Sequence, residues 1–196
     1  MILKKKIVLA STSRYRAELL QRLQLPFVTA KPHAEESPLA GEGPAQTAGR
    51  LSLAKANSVV KAFPGTLIIG SDQVADLNGV PVGKPESQDG ARRQLRAMRG
   101  QVLVFHSGVA LVNADTGNTQ SAIIPTTVRF RQYSDAEIEH YLQCEDALDC
   151  AGSAKSEGLG IALIASMQSE DPTALVGLPL IELSTMLRNE GMGVLE

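Results

Sequence analysis

Short apolar runs alternate with amphipathic segments along the chain, which predicts strands that alternate with helices. The runs 7–10 and 66–70 consist mainly of Ile, Val and Leu, which is typical of buried strands. The longer segment 44–63 carries apolar residues three and four positions apart, as in a helix with one buried face. The predicted strands are 7–10, 27–30, 66–70 and 161–164, with hairpins 74–77/80–82 and 102–112/121–130, and the predicted helices are 14–25, 44–63, 87–99, 134–143 and 179–188.

Turn and capping residues support these boundaries. A Pro-Gly pair at 64–65 ends the second helix, and an Asn-Gly pair at 78–79 is a turn signal between two short strands. Ser134 and Glu137 form a capping-box pattern at the start of the fourth helix. The order of elements predicts an α/β fold with a mixed central sheet flanked by helices. We expect one domain over residues 1–196, built as two lobes with an active-site cleft between them.

Composition excludes several classes of function. The chain of 196 residues is 43% hydrophobic and 20% charged, which suits a globular domain. A net charge of −2, with four Phe, three Tyr and no Trp, argues against a general nucleic-acid binder. Cys144 and Cys150 are too few for a disulfide framework, and the three histidines are scattered. No targeting segment or run near the ~18 apolar residues of a membrane span is evident, so we expect a cytoplasmic protein.

A cluster of hydroxyl and guanidinium groups follows the first predicted strand. Ser11 begins the turn and Arg16 lies on the first turn of the next helix. The N-terminus of a helix offers unpaired N–H groups and a positive dipole end, which favour a phosphate or carboxylate. The alternative is an ordinary N-cap beside surface arginines.

Asp72 follows the most convincing buried strand, where ligands bind in open α/β sheets. The next hairpin leads to Lys84, and a carboxylate with lysines nearby suggests a site for a metal and phosphate. Lys55 shares the apolar face of its helix, so it either extends to the surface or points at an anionic group. The acidic pair 35–36 favours the second interpretation. The alternative for Asp72 is a turn cap.

At these positions the chain resembles the Maf family of nucleoside triphosphate pyrophosphatases, and most closely its YceF-type members. The resemblance extends over essentially the whole chain, and its blocks occur in the same order with similar spacing. Most of these blocks are weak signals singly, but five in sequence are specific. They are the Ser-x-Ser-x-x-Arg turn that ends at Arg16, Leu-Ala-Lys-Ala at 53–56, Gly-Ser-Asp-Gln at 70–73, Gly-Lys-Pro at 83–85 and Ala-Gly-Ser-Ala-Lys-Ser-Glu-Gly at 151–158.

The resemblance implies an ITPase-like α/β fold, a divalent metal (Mg²⁺ or Mn²⁺) and a nucleotide diphosphatase that converts a nucleoside triphosphate to its monophosphate and diphosphate. Asp72 is the implied general base, acting directly or through the metal, and Glu36 is implied to hold the metal with it. The implied contacts to the triphosphate are Ser11, Arg16, Lys55 and Lys84. The implied partner is a small-molecule nucleotide, with no nucleic acid or membrane, and the sequence does not decide between a monomer and a homodimer.

YceF-type Maf proteins prefer 7-methyl-GTP, and the resemblance places Tyr15, Gln73 and Glu157 at their specificity positions. Methylation at N7 gives guanine a positive charge, which favours an aromatic face and a nearby carboxylate. The chain departs from the family pattern at Tyr15, where Trp is common, and at 33–36, where Glu-Val-Asp-Glu is replaced by His-Ala-Glu-Glu. The alternative for Glu157 is a loop glutamate that faces water.

Two other functions stay open at this point. A Maf branch that prefers dTTP and UTP tends to have Ala-Asp-Thr where this chain has Ser-Asp-Gln at 71–73, and it lacks an acidic residue matching Glu157. A nucleotide-binding regulator of cell division with little turnover belongs to a different class. An Asp72→Asn variant would separate the two classes, because a binder would keep its biological effect.

Overall fold

A computed structural model describes residues 5–195 of the chain and shows strands and helices in alternation. The strands are β1 (Lys6–Ala10), β2 (Phe27–Ala30), β3 (Thr66–Leu77), β4 (Val80–Val82), β5 (Val102–Asn113), β6 (Thr119–Phe130) and β7 (Ile164–Ser169). The helices are α1 (Arg14–Gln21), α2 (Pro44–Asn57), α3 (Gln88–Met98), α4 (Asp135–Cys144) and α5 (Leu180–Asn189), with short 3-10 turns at Val60–Ala62, Ala151–Ser153, Leu159–Leu163 and Ala174–Val176.

The seven strands form one mixed sheet, which confirms the predicted architecture. Its order is β2-β1-β3-β5-β6-β7, and β4 pairs with β3 outside this path. β1 is parallel to both β2 and β3, with Ile7 opposite Phe27 and Leu67, whereas β4 and β7 run antiparallel to their neighbours. Leu9 near the end of β1 pairs with Ile69, so β1 ends beside the middle of β3, which continues to Leu77.

The chain divides into two compact units. Unit 1 comprises the chain up to Gln73, Ser107–Ile124 and the chain from Asp171 onward, and unit 2 comprises Val74–His106 and Pro125–Glu170. Two units match the two predicted lobes. The cleft and the single-domain organisation stay predictions. Among the described residues, no helix has the length and apolar character needed to cross a membrane.

Both faces of β1 and β3 are covered by helices in unit 1, which explains why these strands are apolar at consecutive positions. On one face, alternate strand residues pack against α1 and α5; on the other, the intervening residues pack against α2. The first face contains Ile7, Leu9, Leu67 and Ile69 with Leu19, Leu20, Leu183 and Leu187, and the second contains Val8, Ala10 and Ile68 with Ala56 and Val59. This double packing fixes the end of β1, which leads to residues 11–16, and the part of β3 that contains residues 71–73.

Two glycines allow α2 to approach the sheet closely. A Cβ atom at Gly70 would lie 2.0 Å from the carbonyl oxygen of Ser52, and one at Gly108 would lie 2.4 Å from that of Ala48. Neither clash can be relieved by a side-chain rotation, because each involves the helix backbone. The close approach brings Lys55 of α2 against Asp72 in the middle of β3.

Several predicted boundaries were wrong. The strands predicted over 66–70 and 74–77 are one strand, β3, so Asp72 lies inside a strand and not after one. The helix predicted over 14–25 ends at Gln21. The helix predicted over 44–63 ends at Asn57, where the Ser58 hydroxyl donates to the carbonyl of Lys55. The strand predicted over 161–164 is largely a 3-10 turn, and β7 begins at Ile164 instead. β7 lies at the edge of the sheet and is mostly exposed, so its mixed sequence carries no buried apolar run. The capping box of Ser134 and Glu137 is confirmed.

Candidate functional site

Two carboxylates converge on one lysine beside the middle of β3. Lys55 Nζ donates to Asp72 Oδ1 at 2.6 Å and lies 2.8 Å from Glu36 Oε1. Lys55 and Asp72 are buried, whereas the side chain of Glu36 is 68% exposed. The sequence analysis offered two interpretations of Lys55, a side chain that extends to the surface or one that points at an anionic group. The structure supports the second, because the ammonium group contacts two carboxylates.

Arg16 brings a second cation to these carboxylates. Its Nε donates to the carbonyl of Gly177 at 3.0 Å, and its Nη1 lies 3.5 Å from Ser11 Oγ. Burial of the guanidinium lowers the pKa of Arg16, whereas the charges of Asp72 and Glu36 act in the opposite direction. The structure thus brings together four of the residues predicted from the sequence around Asp72: Ser11, Arg16, Lys55 and Glu36.

The hydroxyls of the first turn are used partly within α1. Ser13 is the N-cap of α1 and accepts from the backbone N–H of Arg16 at 3.4 Å, while Ser11 Oγ accepts from the N–H of Ser13 at 3.1 Å. The N-cap alternative is therefore correct for Ser13. Ser11 is buried at the end of β1, where its hydroxyl faces Arg16.

Gln73 holds the turn that follows β7 in sequence. Its Nε2 lies 2.9 Å from Ser107 Oγ and 3.0 and 2.9 Å from the carbonyl oxygens of Ala174 and Leu175. The neighbouring Ser71 Oγ lies 2.8 Å from the carbonyl of Gly177, which also accepts from Arg16. Gln73 was predicted as a specificity residue, and within unit 1 its amide nitrogen fixes the 174–177 turn.

Tyr15, the predicted aromatic platform, is already paired with a cation. The Arg14 guanidinium carbon lies 4.8 Å from the centroid of the Tyr15 ring, and Arg14 Nη2 donates to the Tyr15 hydroxyl at 2.8 Å. One face of the ring is therefore taken by a positive charge. A cationic base that stacked on Tyr15 would use the opposite face or displace Arg14.

The two remaining predicted residues, Lys84 and Glu157, lie in unit 2, and both are exposed. The backbone beside Lys84 is fixed, since the carbonyl of Gly83 accepts from Gln94 Nε2 at 3.0 Å and from the N–H of Gly152 at 3.3 Å. The sequence analysis did not identify Gln94 as a residue that holds the backbone beside Lys84. Whether Lys84 and Glu157 contact the same ligand as the residues of unit 1 stays a prediction.

The donor set around Asp72 fits a divalent cation. Glu36 Oε1 and Asp72 Oδ1 lie 2.8 and 2.6 Å from Lys55 Nζ, so the two carboxylates face the same small region. Among residues 5–195, no group of three or more His, Cys, Asp or Glu side chains has the arrangement of a metal site. Mg²⁺ is commonly held by one or two carboxylates, with water and substrate phosphates completing its shell, so a pair is sufficient.

An ion pair that the sequence analysis missed lies beside this cluster. Arg50 of α2 binds Glu42 through two hydrogen bonds, Nε to Oε1 at 2.6 Å and Nη2 to Oε2 at 2.8 Å. The bonds from Arg50 and from the N–H of Leu39 lower the pKa of Glu42 to about 2. No local signal identifies this pair, because Glu42 lies before the helix and eight residues from Arg50, outside the spacing of helix neighbours.

Comparisons with known proteins identify the family of the chain. The family model described as "Maf-like protein" matches residues 6–190. The chain is 56% identical over 188 residues to a 7-methyl-GTP pyrophosphatase of Polaromonas sp., which covers 96% of this chain and 86% of that protein. It is also 56% identical over 189 residues to one of Methylobacillus flagellatus, covering 96% and 98% of the two chains. Among solved structures, the Staphylococcus aureus Ham1 protein matches 64% of this chain and 72% of its own at 14% identity, with a TM-score of 0.47. With a family model over nearly its whole length and relatives above half identity, the chain belongs to the Maf family.

Proposed function

We propose that this protein is a nucleoside triphosphate pyrophosphatase that hydrolyses 7-methyl-GTP to 7-methyl-GMP and diphosphate. The observation that carries the proposal is the cluster of the buried Asp72 and Lys55 with the half-buried Arg16 and the exposed Glu36. The names of near-full-length relatives support both the reaction and the substrate. They also favour 7-methyl-GTP over dTTP and UTP, and an enzyme over a regulator with little turnover.

Three cations would neutralise the triphosphate. Arg16 lies on α1 shortly after β1, the ammonium group of Lys55 lies beside Asp72 in β3, and Lys84 follows β4. Phosphoryl chemistry depends mainly on such positioned charges, because charge shifts onto the leaving oxygens as the phosphoanhydride breaks. Ser11 would add a hydroxyl contact beside Arg16.

A divalent cation, Mg²⁺ or Mn²⁺, is the cofactor that we assign to this site, with Glu36 and Asp72 as its protein ligands. When bound, such an ion neutralises phosphate charge and makes a coordinated water more acidic. Glu36 is exposed, so it could bind the metal together with the nucleotide, whereas the buried Asp72 would be a metal ligand held in one position.

Asp72 acts in this proposal as the general base. Its carboxylate takes a proton from the attacking water, and the oxygen of this water forms a new bond to the α-phosphorus. The P–O bond to the leaving group breaks, and diphosphate departs with the electron pair. Lys55 donates to Oδ1 of Asp72 and so holds the carboxylate in one orientation during proton transfer.

Recognition of the base is assigned to Tyr15 and Glu157. The positive charge of 7-methylguanine favours a carboxylate, and the N1–H and N2 amine are donors that Glu157 would accept together. A pyrimidine would leave that carboxylate unpaired. Gln73 contributes indirectly, by holding the 174–175 turn. We place the reaction in the cytoplasm, where nucleoside triphosphates are available.

The test is kcat/KM for 7-methyl-GTP, GTP, dTTP and UTP with Mg²⁺ or Mn²⁺, together with binding of each nucleotide in the absence of metal. The proposal predicts the highest kcat/KM for 7-methyl-GTP. Equal or better use of dTTP or UTP would contradict the substrate, and tight binding without turnover would identify a regulator.

A further inference from the structure

We propose that Arg50 is a positioning residue that holds Glu36 in the site. The inference rests on the proposed function to the extent that Glu36 is a ligand of the metal there. Among residues 5–195, the hydrogen bonds of Arg50 go to Glu42 and to backbone carbonyls, and none goes to Lys55 or Asp72. Its guanidinium instead binds the backbone on both sides of residue 36.

The guanidinium of Arg50 spans the segment that carries Glu36. Nη2 donates to the carbonyl of Ser37 at 3.0 Å, and Nη1 lies 3.4 Å from the carbonyl of Glu35. The same group makes its two bonds to Glu42, which lies at the end of the loop. One planar fork therefore ties the peptide groups before and after Glu36 to α2.

The segment around Glu36 is not held by regular secondary structure. Residues 35–41 are exposed and contain no helix or strand. A carboxylate on such a segment would sample many positions, and each would weaken its contact with a metal or with Lys55. Because Arg50 and Lys55 lie on the same helix, the clamp fixes the distance from Glu36 to its partner.

Glu42 anchors the clamp from the other side. Its Oε2 accepts from the N–H of Leu39 at 2.9 Å and from Thr47 Oγ1 at 3.1 Å. Together the bonds of Arg50 use four of its five N–H donors, which leaves little capacity for a phosphate. The arrangement is that of a residue orienting another ligand, and partners of this kind commonly change metal affinity ~10-fold or more when removed.

The experiment measures Mn²⁺ binding by electron paramagnetic resonance without substrate, and the Mg²⁺ concentration for half-maximal hydrolysis of 7-methyl-GTP. The variants are Arg50→Gln, Arg50→Lys, Glu36→Gln and the double variant Arg50→Gln/Glu36→Gln. Arg92→Gln is the matched control, because Arg92 makes the same two-bond pair with Glu139 in unit 2. Glu42→Gln is a second way to open the clamp if Arg50→Gln fails to fold.

We expect Arg50→Gln to weaken Mn²⁺ binding and raise the Mg²⁺ requirement ~10-fold. Arg50→Lys should fall between this variant and wild type, since an ammonium cannot make the same fork. The double variant should match Glu36→Gln, because the clamp has nothing left to position once the carboxylate is gone. Arg92→Gln should bind Mn²⁺ as wild type does.

Unchanged Mn²⁺ binding in both Arg50→Gln and Glu42→Gln would overturn the inference. A double variant that binds Mn²⁺ more weakly than Glu36→Gln, by the factor found for Arg50→Gln alone, would also overturn it. If Glu36→Gln alone changed neither readout, the assignment of Glu36 as a ligand would fail together with the clamp. If wild type did not hydrolyse 7-methyl-GTP, the proposed function would fail, and the Mn²⁺ titrations would still decide on the clamp.

Discussion

The candidate residues of the two units differ in how firmly they are held. Asp72 and Lys55 in unit 1 are buried, lie on a strand and a helix, and pair with each other at 2.6 Å. Lys84 and Glu157 in unit 2 are exposed and lie on irregular segments. Rigid elements suit groups that must meet a reacting bond with precise geometry, and exposed loop residues suit recognition of a variable ligand. In the proposed function, the groups that act on the reacting bond are therefore the firmly held ones, Asp72 and Lys55, whereas Lys84 and Glu157 would contact the substrate from exposed loops.

The largest effect is expected from Asp72→Asn. The change is nearly isosteric but removes the proton-accepting carboxylate, so we expect the hydrolysis rate to fall about 10²–10⁴-fold with the fold intact. Asp76→Asn is the control, since Asp76 lies on the same strand and pairs with His106 at 3.2 Å. Steady-state kinetics measures the loss of rate, and circular dichroism checks that both variants remain folded. Near-wild-type turnover in the Asp72 variant would remove it from the mechanism.

Replacing the two lysines should separate the two regions. Lys55→Ala leaves Asp72 without its close cation, so we expect a loss of about 3 kcal/mol in the free energy of unfolding as well as a large loss of kcat. Lys84→Ala should raise KM and change stability by less than ~0.5 kcal/mol, because Lys84 is exposed. Denaturant unfolding and kinetics on both variants test this. Equal stability of the two variants would break the comparison.

A smaller effect is expected on the choice of base. Glu157→Gln should lower kcat/KM for 7-methyl-GTP relative to GTP by about 5–10-fold, since it removes the negative charge that favours the methylated base. Arg14→Ala should shift the ratio the other way, because it removes a cation from the ring of Tyr15. Competition assays with both nucleotides measure the ratio. An unchanged ratio in both variants would place base recognition elsewhere.

The smallest effect concerns pH. The pKa of Glu42 is about 2, below its ordinary value of 4.5, so its bonds stabilise the fold above pH ~5 and are lost as the pH falls toward 2. The difference in Tm between wild type and Glu42→Gln should therefore be largest near pH 7 and disappear near pH 2. Glu137 in unit 2, whose pKa is also about 2, should give the same window for Glu137→Gln. Thermal melts from pH 7 to pH 2 check both; a constant difference would contradict the assigned cause.

Sequence reasoning was most successful where one local pattern determined the structure. The apolar runs 7–10 and 66–70 identified β1 and the first part of β3, because strands buried on both faces have no polar alternation. Lys55 was noticed because a charge on an apolar helix face needs a partner. The sequence also identified Asp72 as a candidate, but it placed this residue after the end of a strand. In the structure Asp72 lies within β3, where it pairs with that lysine.

The rest depended on contacts between distant segments. The clamp of Arg50 joins a helix to backbone carbonyls 13 and 15 residues away, and backbone acceptors leave no mark in the residue pattern. The ligand contact of Gln73 stays a prediction, and the bonds of its amide nitrogen to carbonyls 101 and 102 residues later could not be predicted from the local pattern. β7 was misplaced because an exposed edge strand lacks the apolar run that marks buried ones.

The central claim is that the cluster of unit 1 breaks the α–β phosphoanhydride of 7-methyl-GTP, and the most direct measurement is the ³¹P NMR spectrum of the products. Wild-type protein with 7-methyl-GTP and Mg²⁺ should give diphosphate and 7-methyl-GMP in equal amounts, and Asp72→Asn should give neither above the uncatalysed background. Release of orthophosphate by wild type, or unchanged formation of diphosphate by Asp72→Asn, would contradict the account.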